Sequence, residues 1–221
     1  MSGVRIVTGY VPLSGHPRPQ AAYDRLYTQL QAIRGAPITT FVTTLERCWL
    51  KQALIHSPGA LHATADNPQK NTLDYHAVQH QKTAWLADAA AIEPEVDVVV
   101  WIDYGIFSIP GLHIDHIEAF LERAKHETEI ALPGCWDRQR SAAAPPEAVN
   151  WRFCGGVAVV PRRCVLPFHN AVRYVTLHRL VTRRYVTWEV NDWARVEESN
   201  VLPIRWYSAD HNQTLFTGYK T

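Results

Sequence analysis

The sequence predicts an α/β fold in which helices pack on the faces of a central sheet. Runs of β-branched residues alternate along the chain with segments whose apolar residues recur every three or four positions. The run at residues 96–102, VDVVVWI, is apolar at all but one position, which is typical of a central strand covered on both faces. With 221 residues, 47% of them hydrophobic, the chain can bury a sizeable core.

The N-terminal half is predicted to lead up to this central strand. In chain order we expect a strand, a helix, a strand, two helices and the central strand, at residues 4–8, 23–33, 38–44, 45–55, 75–89 and 96–102. Gly35 and Pro37 stop the first helix, and Glu93 with Pro94 ends the most regular one.

The C-terminal half continues the alternation. We expect a helix, a strand, a loop, a strand, two helices and a strand, at residues 114–124, 129–132, 134–150, 157–160, 165–180, 188–198 and 204–207. The loop is predicted to be flexible because it combines charges, an alanine run and Pro145-Pro146. Since no repeat or linker divides the chain, we expect one domain over residues 1–221.

Composition limits the possible functions. The formal net charge of +1 gives no strong attraction to nucleic acid or anionic lipid, although Arg183 and Arg184 form a local basic pair. The four cysteines show no CxxC pair and no zinc-ligand spacing, so we expect reduced thiols in a cytoplasm. No basic segment precedes an apolar region and no apolar stretch approaches ~18 residues, so neither export nor a membrane span is expected.

Asp103 is the sharpest chemical feature, because it directly follows the central strand. In open parallel sheets, ligands bind beyond the carboxyl ends of the central strands. A carboxylate there is costly unless it is paired or binds a cation. The segment Asp-Tyr-Gly offers one hard oxygen ligand, which makes Asp103 a candidate metal ligand, with a turn-forming role as the alternative.

Lys82 places a cation near the centre of the apolar stripe of helix 75–89. It either reaches the surface along its methylene stem or contacts a phosphate at the edge of the sheet. On the same helix, His76 and His80 have HxxxH spacing, but position 77 is alanine and both rings point away from the stripe. We therefore reject a zinc-protease motif and expect both histidines to be solvated.

Two later segments supply further candidates. Gly155-Gly156 precedes a strand and permits either a close approach to a ligand or a plain turn. Trp188 is followed by two acids, Glu189 and Asp192, at the start of a helix, where the helix dipole favours acids and where one of them could act as a base.

The polar tail contains Asp210-His211, which has suitable atoms for a metal. The tail follows the last predicted strand and lies close to the C-terminus. We expect it to be mobile without a ligand and to close over a filled site.

The segment at residues 98–107, VVVWIDYGIF, resembles the Trp-Ile-Asp-x-Gly segment of the bacterial HtrL/YibB-like proteins. The order of elements resembles that of GT-A type nucleotide-diphospho-sugar transferases, and CGGVAVVP after Asp103 fits the same pattern. The likeness in layout covers residues 4–216, but only the Asp103 segment is specific. It implies a GT-A-like, Rossmann-like fold with a mixed, mostly parallel central sheet and helices on both faces.

The resemblance also implies a division of the site. The donor nucleotide would bind at Thr8, Gly9, Tyr10, Lys82 and Tyr104, and the acceptor side would lie near Gly155, Gly156 and Trp188. The usual Asp-x-Asp motif has become Asp-Tyr-Gly, so Asp210 or His211 would have to join Asp103 in binding a divalent metal, Mn²⁺ or Mg²⁺.

These observations predict a glycosyltransferase that moves a hexose or pentose from a nucleotide-diphospho-sugar donor to an unidentified hydroxyl acceptor. A divalent cation and Lys82 would offset the charge of the leaving diphosphate, and Glu189 or Asp192 would deprotonate the acceptor.

Three alternatives remain. A nucleotidyltransferase would need a Gly-rich basic loop after the first strand, whereas residues 11–20 hold only Gly15 and Arg18. A non-catalytic sugar- or nucleotide-binding module is favoured by the departure to Asp-Tyr-Gly. A glycosyltransferase acting on nucleic-acid bases is compatible, but the near-neutral charge gives it no support.

Overall fold

The computed structural model describes residues 3–13, 20–61, 70–145 and 148–220. Its strands are β1 (Gly3–Tyr10), β2 (Ile38–Val42), β3 (Ala60–Leu61), β4 (Val96–Ile102), β5 (Ile130–Gly134), β6 (Val157–Pro161), β7 (Tyr185–Val186) and β8 (Ile204–Ser208). Its helices are α1 (Gln20–Gln31), α2 (Trp49–His56), α3 (Leu73–Ile92), α4 (Ile114–Ala124), α5 (Arg138–Ala142), α6 (Arg162–Arg183), α7 (Glu189–Glu198) and α8 (Thr214–Thr217). Two 3₁₀ turns lie at Leu45–Arg47 and Ile106–Ser108.

The larger sheet has six strands in the order β2-β1-β4-β6-β5-β8. β6 runs antiparallel to both of its neighbours, β4 and β5. The other three pairings of this sheet, β1 with β2, β1 with β4 and β5 with β8, are parallel. β3 and β7 form a separate parallel pair. The predicted mixed, mostly parallel sheet is therefore confirmed.

The core lies in two layers because successive side chains of a strand point to opposite faces. In β4, Val99 and Trp101 join the apolar cluster on the side of α3, α6 and α7. Val98, Val100 and Ile102 join the cluster on the side of α1, α4 and α8. β4 is thus covered on both faces, as its unbroken apolar sequence predicts.

Helix α3 is the central helix of the first layer. The Thr72 side chain caps it by accepting a hydrogen bond from the N–H of Tyr75 at 3.1 Å, and the helix ends before Pro94. Because α3 packs against the sheet and against α2, α6 and α7, it is buried on more than one face. The expectation of solvated His76 and His80 is wrong, since both are fully buried.

Two other expectations are corrected by the structure. Residues 134–150 were expected to form a flexible loop, but they contain the end of β5, helix α5 and the buried Val149. The tail was expected to be mobile and polar, but Phe216 and Tyr219 are fully buried and pack against Phe120 at ring-centroid distances of 5.3 and 5.0 Å. A few large apolar side chains anchor the tail. The prediction rested on the average composition of the segment, which is polar and does not show these residues.

No helix in the described ranges has both the length and the apolar character that crossing a membrane requires. All four cysteines are free thiols.

Candidate functional site

The carboxyl end of β4 and the amino end of β6 meet at one edge of the six-stranded sheet. The two strands are antiparallel, with Val157 opposite Ile102. The N–H of Asp103 donates a hydrogen bond to the carbonyl oxygen of Gly156 at 2.9 Å. One reversed strand therefore brings the Gly155-Gly156 turn beside Asp103.

A cleft of about 1110 Å³ opens at this edge. Most of the predicted site residues line it: Gly9, Tyr10, Lys82, Asp103, Tyr104, Gly155, Gly156, Trp188, Glu189 and His211. Thr8, Asp192 and Asp210 do not line it. A cleft of this volume can accommodate a ligand of nucleotide-sugar size.

Lys82 is buried against the cleft, with its ammonium group among three acceptors. Nζ donates to the carbonyl oxygen of Gly155 and to Glu189 Oε1, both at 2.9 Å, and lies 3.2 Å from Asp103 Oδ1. The Lys82 side chain is only 4% exposed, so it does not reach the surface along its stem. An ammonium group has three N–H donors, and each has an acceptor here.

The opposite charges of this cluster stabilise the ionised forms of its side chains. Burial by itself would lower the pKa of Lys82, but Asp103 and Glu189 outweigh burial and the pKa is raised. Burial would raise the pKa of Glu189, but the charge of Lys82 outweighs it and the pKa is lowered. The formal charges of the cluster, one lysine and two acids, sum to a net negative charge at the cleft.

Trp101 fixes the orientation of Asp103. Its indole Nε1–H donates to Asp103 Oδ1 at 2.8 Å. The two residues are two positions apart at the end of β4, so their side chains leave the same face of the sheet. Asp103 Oδ1 thus accepts a hydrogen bond from Trp101 and forms an ion pair with Lys82, whereas Oδ2 accepts no hydrogen bond from the described part of the chain.

Two glycines are required by the close packing of this site. A Cβ on Gly9 would overlap the indole ring of Trp85, and a Cβ on Gly155 would overlap Glu189 Oε1. Gly156 differs, because a Cβ there would be in ordinary contact distance, 3.8 Å from Asp103 Oδ2. Gly155 allows the Lys82 cluster to form, and Gly156 leaves the approach to Asp103 open.

An aromatic cluster lies beside Asp103 on the side of β1 and α1. Tyr104 stacks between Tyr10 and Tyr27, with ring centroids 5.0 and 4.6 Å away, and Tyr23 lies tilted against Tyr10 at 5.2 Å. Tyr10, Tyr23 and Tyr104 line the cleft. Stacked aromatic rings at a cleft offer flat apolar surface to a planar ligand group such as a nucleobase.

Asp192 is buried away from the cleft in a different cluster. Its Oδ2 accepts a hydrogen bond from Thr176 at 2.5 Å and lies 3.0 Å from His80 Nε2, and Oδ1 pairs with Arg179. Burial alone would raise the pKa of Asp192, but Arg179 and His80 outweigh it and lower the pKa. Asp192 does not line the cleft and both of its oxygens are bonded, so it cannot accept a proton from an acceptor there, and we withdraw it as a candidate base.

Thr8 is also placed outside the cleft. It is fully buried and precedes Gly9 on β1, so strand alternation puts its side chain on the opposite face of the sheet. The nucleotide-binding segment predicted at residues 8–10 is therefore reduced to Gly9 and Tyr10.

Asp210 and His211 lie together after β8, but their contacts are not with Asp103. Asp210 Oδ1 accepts hydrogen bonds from the N–H of His211 at 2.7 Å and from the thiol of Cys135 at 3.4 Å. Among the described residues, neither side chain has an ion pair or hydrogen bond with Asp103, whose partners are Lys82 and Trp101. His211 lines the same cleft as Asp103, whereas Asp210 does not line it.

The residues that remain at the cleft still fit a hard divalent cation. Asp103 Oδ2 has no hydrogen-bond donor, and the buried Glu189 Oε2 also lacks a partner within the described ranges. Unsatisfied carboxylate oxygens with a net negative charge are the donor set that Mn²⁺ and Mg²⁺ favour. Asp103 is therefore the candidate ligand, because its side chain is partly exposed at the cleft.

Sequence reasoning gave no site role to several aromatic residues of the cleft. Trp85, Trp101 and Trp151 all line it, and Trp101 contacts Asp103 directly. The signal for Trp101 was its spacing of two from Asp103 on a strand. No comparable signal was available for Trp151, which lies outside the regular elements of the sequence pattern.

No protein-family model matches the chain, and no curated protein sequence matches it. The chain is similar to the crystal structure of a glycosyltransferase involved in the glycosylation of the major capsid of PBCV-1, with 12% identity, 94% of this chain and 82% of that chain covered, and a TM-score of 0.50. It is also similar to mouse xyloside xylosyltransferase 1 in its apo form, with 10% identity, 92% and 84% covered, and a TM-score of 0.48.

Identity this low carries the fold and not the activity. The predicted closeness to HtrL/YibB-like proteins stays a prediction. The chain has a mixed α/β fold of the GT-A-like type, shared with a solved glycosyltransferase.

Proposed function

We propose that this chain is a glycosyltransferase that moves a sugar from a nucleotide-diphosphate donor to a hydroxyl acceptor. The observation that carries the proposal is the buried Lys82–Asp103–Glu189 cluster, which opens on a large cleft at the carboxyl edge of the sheet. In an open α/β sheet this edge is where ligands bind.

The donor would bind with its base against the tyrosine cluster and its diphosphate beside Asp103. Tyr10, next to Gly9, would supply the stacking surface, and Tyr104, stacked between Tyr10 and Tyr27, would support the Tyr10 ring. A bare diphosphate would be repelled by a site with two carboxylates and one ammonium. A divalent cation bound by Asp103 would offset the charge of the diphosphate leaving group.

Lys82 would hold the two carboxylates in position and supply a nearby positive charge. Its three N–H donors already have acceptors, so a direct phosphate contact would require it to give up one of them. Its raised pKa keeps it charged throughout. We assign it the role of orienting Asp103 and Glu189 and of stabilising the leaving diphosphate electrostatically.

Glu189 is the base that the geometry favours for the acceptor. It lines the cleft, its lowered pKa keeps it ionised, and its Oε2 has no donor in the described part of the chain. An acceptor hydroxyl that donates to Oε2 would satisfy this oxygen and place its proton on the path to the carboxylate. Trp188 and Gly156 would bound the acceptor side of the cleft.

The test is a panel of nucleotide sugars scored for binding and for hydrolysis or transfer, with and without Mn²⁺. We expect binding and slow hydrolysis of one donor, with Mn²⁺ strengthening both. Asp103→Asn preserves shape and removes the anionic ligand, so it should abolish the Mn²⁺-dependent part of the binding measured by calorimetry. Unchanged affinity in this variant would overturn the metal role of Asp103.

A non-catalytic sugar- or nucleotide-binding module is the second candidate. It is favoured by the full engagement of Lys82, which leaves no free N–H for a phosphate. Tight donor binding with no hydrolysis and no transfer, with or without metal, would support this module over the enzyme.

A further inference from the structure

Two cysteines and a histidine that are far apart in sequence meet at the same end of the sheet. Cys135 follows β5, Cys154 precedes β6 and His211 follows β8. Because β5 is parallel to β8 and antiparallel to β6, the ends of these three strands lie together. One ligand atom from each of the three side chains falls within 4.8 Å of the others.

The distances around Cys135 and His211 match those between neighbouring ligands of a tetrahedral metal centre. The two sulfur atoms are 3.5 Å apart, and Cys135 Sγ is 3.8 Å from His211 Nδ1. Asp210 Oδ1 lies 3.4 Å from Cys135 Sγ and 3.3 Å from His211 Nδ1. Zinc–sulfur bonds of ~2.3 Å and zinc–nitrogen bonds of ~2.0 Å in a tetrahedron put neighbouring ligand atoms roughly 3.3–3.8 Å apart.

The surroundings hold these side chains in place before any metal binds. Cys154 is fully buried and its N–H donates to the carbonyl oxygen of Pro133 at 2.7 Å. The ring of His211 packs edge-on against Trp151 with centroids 4.6 Å apart. Cys135 is half-buried and His211 is exposed, so an ion can enter from the solvent side.

We propose that Cys135, Cys154 and His211 bind Zn²⁺, with the fourth position taken by water or by the carboxylate of Asp210, which lies beside Cys135 and His211. Thiolate and imidazole ligands select zinc over the hard ions Mg²⁺ and Mn²⁺. On binding, each of the two thiols forms a bond from sulfur to zinc and loses its proton to solvent, and no oxidation state changes. The site would tie together the ends of β5, β6 and β8 beside the cleft.

This site is distinct from the cation proposed at Asp103 and does not depend on it. His211 lines the cleft, so its engagement by zinc would fix one wall of the donor site. It would also remove His211 from the ligands available to a cation in the cleft.

Cobalt binding to the reduced full-length chain, without nucleotide, tests the proposal. We expect one Co²⁺ per chain, with the near-ultraviolet thiolate-to-cobalt absorption and the intense visible bands of a tetrahedral ion, both removed by Zn²⁺. Cys135→Ser and Cys154→Ser should lose the thiolate absorption, and His211→Ala should retain it at weaker affinity. Cys164→Ser is the matched control, because Cys164 is a buried cysteine outside the cluster and should keep the full spectrum.

Asp103→Asn separates the two metal sites, and it should leave the cobalt spectrum unchanged. A second measurement covers variants that fold poorly: one equivalent of Zn²⁺ should raise the Tm of the wild-type chain, and a chelator should reverse the rise. No thiolate absorption in the reduced wild-type chain, or absorption that survives in Cys135→Ser, would overturn the proposal.

Discussion

Helices α3 and α7 face each other through two buried acid–base pairs, and the two pairs have different surroundings. Lys82 pairs with Glu189 at the cleft, and His80, two residues earlier on α3, pairs with Asp192, three residues later on α7. Both acids are fully buried, and both have a lowered pKa because nearby cations outweigh burial. Sequence position alone does not distinguish them, since both lie in the first turn of α7.

The difference lies in how completely each carboxylate is bonded. Asp192 has partners on both oxygens, from Thr176, His80 and Arg179. Glu189 has Lys82 on Oε1, and Oε2 has no partner in the described ranges. A buried oxygen without a donor is costly, and a ligand can supply the missing bond. The comparison indicates that Glu189 belongs to a binding site and Asp192 to the scaffold.

Glu189→Gln should show the largest effect if this comparison holds. The amide preserves shape but cannot take a proton, so turnover should fall about 100- to 10,000-fold, the usual contribution of a general base. Donor affinity should change little without Mn²⁺. Steady-state kinetics with the donor found in the panel, together with calorimetry, measures both quantities. Turnover within a few-fold of wild type would remove Glu189 from the reaction.

Asp192→Ala should instead reduce stability. It leaves the charge of Arg179 without its buried partner, and breaking such a pair costs about 3–5 kcal/mol of the free energy of unfolding. Urea unfolding measures this loss. Glu198→Ala on the same helix is the matched control, since Glu198 forms an exposed pair with Arg195 that contributes little. A loss as small as that of the control would mean that Asp192 is not a scaffold residue.

Acid should destabilise the scaffold through His76, which lies one turn from His80 on α3. Burial lowers the pKa of His76 to about 4, and the neighbouring His80 adds to the effect. Between pH 6.5 and 4, His76 therefore binds a proton in the unfolded chain but not in the folded chain. His76 therefore does not reduce the free energy of unfolding above pH 6.5. As the pH falls, the free energy of unfolding decreases, by roughly 3 kcal/mol at pH 4.

Unfolding curves at several pH values check this prediction. The loss between pH 6.5 and 4 should be smaller in His76→Gln by roughly the same 3 kcal/mol. His126→Gln, at an exposed histidine, should keep the wild-type slope. Parallel slopes in wild type and His76→Gln would show that His76 is protonated in the folded chain.

The fold and one half of the site could be predicted from sequence. VDVVVWI gave the central strand, and the rule for ligands at the carboxyl ends of strands gave Asp103. Lys82 stood out because a cation occupied an apolar stripe. Each of these signals is local, so periodicity and strand position were sufficient to find them.

The other features of the site could not be predicted from sequence, because they depend on which elements become neighbours in the fold. Burial of His76 followed from packing of α3 against three other helices, which a single apolar stripe does not encode. The choice between Glu189 and Asp192 depended on where α7 meets the cleft. Cys135 and Cys154 lie together because β6 runs antiparallel beside β5. Sequence-spacing rules for zinc motifs contain no information on the order of strands in a sheet, so they could not predict this contact.

The smallest expected effect, and the finest test of the comparison, is that of Lys82→Met. The substitution keeps the apolar stem but removes the charge that holds Asp103 and Glu189. Because the variant loses one positive charge beside the diphosphate, affinity for a nucleoside diphosphate should fall roughly 10- to 100-fold while affinity for the nucleoside is unchanged. Lys51→Met is the matched control, because Lys51 pairs with Asp74 in a partly exposed contact outside the cleft. Calorimetry with both ligands measures the split. Equal loss for nucleoside and diphosphate would place Lys82 with Asp192 in the scaffold, and the distinction between the two pairs would then rest on Glu189 alone.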